Sequence, residues 1–74
     1  MASRYFTAVV HREGSGYVSL CPELDIASQG ATVVAATANL KEAVELFLEC
    51  ADAKELRLRL HDEVVVTRFD TARG

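Results

Sequence analysis

Residues 21 to 30, CPELDIASQG, gather the side chains that most invite a chemical reading: a cysteine, the chain's single proline and two carboxylates, Glu23 and Asp25. A cysteine nucleophile needs a base within reach, and paired carboxylates do hydrolytic work when they hold a metal or flank a substrate. The chain has 2 histidines, His11 and His61, and neither stands near Cys21 in sequence. Glu23 and Asp25 sit around a turn, with no third acid placed on a strand to complete a two-metal site. Turn mechanics accounts for the stretch instead. Pro22 fixes its own φ and ends a strand, Asp25 can bond nearby backbone N–H groups, and Gly30 allows a bend before a helix. No catalytic, cofactor-binding or metal-binding residue is assigned on this reading, and the protein is not expected to be an enzyme.

Other chemistry-bearing patterns are missing from the sequence: there is no glycine-rich phosphate loop, no HExxH, no GxSxG and no basic stripe with interleaved aromatics. Cys21 and Cys50 match neither a zinc nor a CxxC spacing and read as reduced structural thiols.

The elements that must position these residues can be read from periodicity. RYFTAVVHRE (4–13) and GYVSLCP (16–22) are rich in β-branched and aromatic residues and flank Gly14-Ser15-Gly16, a hairpin signal. A three-residue loop would set Glu13 opposite Tyr17, Arg12 opposite Val18 and Val10 opposite Leu20, and would collect Phe6, Ala8, Val10, Val18 and Leu20 on one core face. The other face, with Tyr5, Thr7, Val9, Tyr17, Ser19 and Cys21, is then neither charged nor a full core. IASQG (26–30) is a short third strand. Thr32 is the N-cap of a helix whose stripe runs through Ala36, Leu40, Ala43, Val44, Phe47, Leu48 and Ala51. KELRLRLHD (54–62) has both strand-like alternation and helix-forming residues, and is read as a connection extending toward a last strand, EVVVTRF (63–69), with DTARG as a frayed tail. The expected fold is one α+β domain over residues 1–74, ordered β-β-β-α-β: a three-stranded antiparallel sheet plus a final strand, with one helix on one face.

With 74 residues, one core is all the chain can support, since two would each be built from fewer than about 40 residues. Such a core supplies only roughly 3–5 kcal/mol, so self-association into a homodimer or homotetramer is expected. One helix covers one side of the sheet, which makes Tyr5, Thr7, Val9, Tyr17 and Ser19 the expected oligomer interface. Hydrophobic residues make up 50% of the chain and charged ones 26%, the balance of a soluble globular protein. No apolar run approaches the roughly 18 residues of a membrane span, and the N-terminus lacks a signal-peptide pattern, so a cytoplasmic location with no membrane partner is expected. A net charge of −3 disfavours a phosphate-binding surface and favours a basic partner.

The string GYVSLCPELDIASQGATVVAATANLKEAVELFLE resembles the HicB antitoxin family, in which a tyrosine-containing strand leads to CPEL, a segment ending SQG, a threonine cap and a helix of the NLKEAVEL kind. The resemblance covers about residues 4 to 52. It implies a partly degenerate RNase H-like fold and binding to a small basic mRNA-cleaving toxin of the HicA type, of double-stranded-RNA-binding form. The first strand offers no acid before Glu13, so the metal-dependent chemistry of RNase H is not expected. Larger members of the family carry a C-terminal DNA-binding segment; the five residues after the last expected strand do not supply one, and direct nucleic-acid binding is not expected. Thr32 is followed three positions on by Ala35 where a capping-box glutamate is common in such helices. Charge, loop chemistry and the resemblance together nominate Glu23, Asp25, Glu42, Glu45 and Glu49 as counter-charges for the toxin. The alternative is a stand-alone oligomeric binding or regulatory domain of the same fold with no toxin.

Overall fold

The structure, a computed structural model, describes residues 5–61 and 63–73. Arg4, read as the start of the first strand, and Asp62 and Gly74, read as parts of the connection and tail, lie outside the described residues. Three antiparallel strands, β1 (Val9–Glu13), β2 (Gly16–Cys21) and β3 (Ile26–Gly30), form a sheet in the order β1-β2-β3. Two helices follow, α1 (Val33–Cys50) and α2 (Ala53–Arg59). The α+β class, the three-stranded antiparallel sheet and the helix on one face of it are as the sequence indicates.

The hairpin differs from expectation by one residue. Glu13 pairs with Gly16, Arg12 with Tyr17, Val10 with Ser19 and Val9 with Leu20, so the loop is the two residues Gly14 and Ser15. Gly14 takes φ +61, a positive value at the first central position, which a type II′ turn reserves for glycine. Because side chains alternate with period two, the slip exchanges the faces along the whole of β2. Val18 and Leu20 lie on the open side, while Tyr17, Ser19 and Cys21, opposite Arg12, Val10 and Ile26, lie under α1.

The reason lies in how closely α1 approaches. A Cβ on Gly30 would stand 2.5 Å from the Ala36 nitrogen, a distance no real side chain tolerates. Where α1 presses closest the sheet must therefore be small, and there Gly30 and Ser19 lie against Ala35 and Ala36 of the helix. Ser19 is fully buried, and its hydroxyl donates to the Ala36 carbonyl at 2.8 Å. Its polarity is satisfied, so burial costs little. Gly30 thus serves close packing more than the bend assigned to it from sequence.

α1 begins where expected. Thr32 is extended and its Oγ1 accepts from the Ala35 N–H at 3.0 Å. Ala36, Leu40 and Val44 of the stripe are buried and Ala43 and Phe47 half-buried, whereas Leu48 is exposed. The core gathers Cys21, Leu24, Leu40 and Val44, with Phe6, Ile26, Phe47, Leu56 and Leu60 packed against it.

The segment after α1 corrects two expectations. Residues 53–59 form α2 rather than a connection toward a strand, because Asp52 caps it by accepting from the Glu55 N–H at 2.8 Å. Glu55 in the first turn and Arg57 and Arg59 in the last also suit the helix dipole. Leu56 and Leu60, four apart, turn to the core, and Leu58 between them faces solvent. Residues 63–69, expected as the last strand, pair with no strand among the described residues, and Val65, Val66 and Phe69 are exposed there. The first strand is also shorter than expected: residues 5–8 precede β1, and Phe6 reaches the core from outside it.

Candidate functional site

The turn from β2 to β3 joins more of the molecule than any other loop. Cys21 to Leu24 closes as a β-turn, with Leu24 N–H donating to the Cys21 carbonyl at 3.3 Å and Pro22 at the position where its fixed φ is favoured. The turn drives Leu24 into the core, where it is 0% exposed. Asp25 then takes φ 55, a left-handed value that aspartate tolerates better than most residues.

Two other segments and a contact within the turn hold it. From the N-terminal side, Thr7 donates its N–H to both Glu23 carboxylate oxygens at 3.0 and 3.1 Å, and its hydroxyl to Oε2 at 2.6 Å. From within the turn, the Cys21 thiol donates to Glu23 Oε1 at 3.5 Å. From the end of α2, the Arg59 guanidinium donates to the Leu24 carbonyl at 3.0 and 3.2 Å and to the Asp25 carbonyl at 3.3 Å, while stacking over the Phe47 ring at 5.3 Å. His61 completes the clamp: its N–H donates to the Glu23 carbonyl at 2.8 Å and its Nε2 lies 2.9 Å from Asp25 Oδ2.

These contacts set the electrostatics. Burial pushes the Glu23 carboxyl up, but the hydrogen bonds from the Thr7 hydroxyl and N–H outweigh it and hold the group below the usual glutamate value. Burial pushes the Cys21 thiol up, and the neighbouring Glu23 charge adds to that. Cys21 is a thiol at neutral pH, a donor rather than a nucleophile. Among the described residues no three metal-ligating side chains gather at one place.

The nominated counter-charges therefore separate. Glu23 is half-buried and spent on Thr7 and Cys21, which removes it from the set of open acidic residues. Asp25 is exposed and shared with His61. Glu42, Glu45 and Glu49 are exposed on one face of α1 and line a shallow depression with Ala43 and Leu46. At the helical rise, those three carboxylates span about 10 Å.

The nominated oligomer interface does not form one surface. Ser19 is sealed beneath α1, and Tyr17 is half-buried on the same side of the sheet. Thr7 is held by Glu23, and Tyr5 precedes β1 and is 94% exposed. Val9 alone of the five lies on the open side, next to Leu20 and near Val18, which sequence reasoning had placed in the core. Leu24 and Arg59 were missed altogether. A leucine between two acids inside a proline turn was the available signal for the first; nothing local marked the second.

A second feature is a groove of about 620 Å³ between residues 5–8 and α1, floored by Leu40 and Val44 and walled by Phe6 and Leu48. It opens beside the start of β1.

The fold and turn define a small α+β domain in which one proline turn is clamped by Thr7 ahead of β1 and by Arg59 and His61 at the end of α2. Comparison with protein-family models, with curated proteins and with solved structures finds no match, so the likeness to HicB antitoxins stands on the quoted residues. No helix among the described residues is long and apolar enough to cross a membrane.

Proposed function

We propose that the chain is an interaction domain of the HicB antitoxin type, which masks a small, basic, mRNA-cleaving toxin by binding it. The observation that carries the reading beyond sequence resemblance is the outer face of α1. Glu42, Glu45 and Glu49 stand together there, exposed, and none is ion-paired with another described residue. Leu46, 60% exposed in their midst, supplies an apolar anchor of the kind that contributes most of the affinity in such contacts. Carboxylates around it steer a basic partner and speed encounter. Asp25, at the β2–β3 turn, is a separate exposed carboxylate beside His61.

The test has two parts. The tagged chain is used to draw partners from native lysate, identified by mass spectrometry, and any small basic protein recovered is assayed for RNA cleavage with and without the chain. Stoichiometric suppression of cleavage, weakened when Glu42, Glu45 and Glu49 are changed to lysine, supports the proposal. Recovery of no basic nuclease, or cleavage indifferent to the chain, overturns it in favour of a stand-alone binding domain.

A further inference from the structure

Residues 64–69, VVVTRF, are dense in β-branched and aromatic side chains, the composition of a strand, yet they pair with nothing among the described residues. Val65 is 73% and Phe69 86% exposed. Val65, Val66 and Phe69, three exposed apolar side chains in one short segment, form the kind of surface that association buries.

The sheet offers a matching vacancy. Both β1 and β3 are edges. The β3 edge is blunted: the Asn39 side chain donates to the Gln29 carbonyl at 2.8 Å, and α1 presses on Gly30. The β1 edge carries no such device among the described residues, and the apolar groove floored by Leu40 and Val44 opens beside its start. A strand laid along β1 would complete its ladder. Alternate side chains of that strand would point toward α1 and into the groove.

We propose that residues 64–69 of a second copy of this chain add to the β1 edge, and that the two copies do so reciprocally. Each copy has one strand-forming segment without a partner and one open edge, so a two-fold exchange satisfies both at once and leaves no end free. The clamp of Arg59 and His61 on the turn fixes where the segment departs, and among the described residues of the single chain it forms no ladder with β1. This exchange is independent of any toxin: a chain that binds no basic partner can still make it.

The experiment measures the solution mass of the chain at micromolar concentration, for the wild type and for Val65→Pro combined with Val66→Pro. The paired prolines remove the ladder donor whichever N–H faces β1. Because 64–69 lies outside the core, far-UV circular dichroism of the variant should keep its helix signal. The expected result is twice the chain mass of 8.1 kDa for the wild type, halved in the variant. Isotope-filtered NOEs in a mixed labelled sample should connect 64–69 of one copy with 9–12 of the other. A wild-type mass other than twice the chain's, a dimer that survives the prolines, or NOEs confined within one copy overturns the proposal.

Discussion

Glu23 is the residue on which the two halves of the chain meet, and its chemistry is structural. Since its carboxyl sits below the ordinary value of 4.5 in the folded state, it contributes stability that is present above that pH and is lost as pH falls through the lower folded value. Thermal melts from pH 7 downward should show wild type losing stability below about pH 4.5, with the Glu23→Gln variant flatter in that window. At pH 7 the same variant should lose about 1–3 kcal/mol, because Thr7 donates two groups to a charged acceptor. Leu24→Ala should cost more, about 2–5 kcal/mol in urea denaturation, as the side chain is fully buried and its turn is held from three sides. Asp25→Asn isolates charge from geometry: asparagine accepts the φ of 55, so fold stability should change little.

At the scale of elements, the approach of α1 to β3 decides which side of the sheet is inside. Gly30→Ala should destabilise by about 1–3 kcal/mol, because the obstacle is backbone of Ala35 and Ala36 rather than a side chain free to move. A variant with unchanged unfolding midpoint would show that α1 shifts without cost. α2 acts as a strap. Its Arg59 satisfies two carbonyls of the turn, and Leu56 and Leu60 close the core edge. Arg59→Lys keeps the charge but loses the fork that reaches Leu24 and Asp25 together. Hydrogen exchange in that variant should quicken at Leu24 and His61, whose N–H groups bond within and onto the turn.

For the whole molecule, the two associations proposed above use different places: a basic partner would meet the acidic face of α1, and a strand of a second copy would meet the β1 edge. If a cognate basic toxin is present, converting Glu42, Glu45 and Glu49 to lysine should slow its association and flatten the dependence of the rate on ionic strength, measured by stopped flow. An association rate unmoved at low salt would discard the acidic face as the binding surface. Glu23→Gln removes one charge at the turn and none from the α1 face, so it should change that rate less than the triple reversal does.

What the sequence by itself determined is what short-range physics decides. The three strands, the glycine turn between the first two, the Thr32 cap and the apolar stripe of α1 were legible because alternation, turn chemistry and capping each act over a few neighbouring residues. The placement of Glu42, Glu45 and Glu49 on one exposed face followed from the same helical period. The register of the hairpin was not legible. Val18 and Leu20 read as core by hydrophobicity, and only the closeness of α1 over Gly30 and Ser19 selects for burial the face that carries these two small residues. The nature of 53–59 was hidden likewise, since alternating leucines fit either period until Asp52 caps a helix and Leu56 and Leu60 find the core. Glu23 looked like a free acid and became an internal acceptor, and residues 63–69 looked like a strand and found no partner within the described chain. A buried acceptor, a helix strap and a strand's partner all depend on residues far apart in sequence, and their relative positions exist only once the chain has closed on itself.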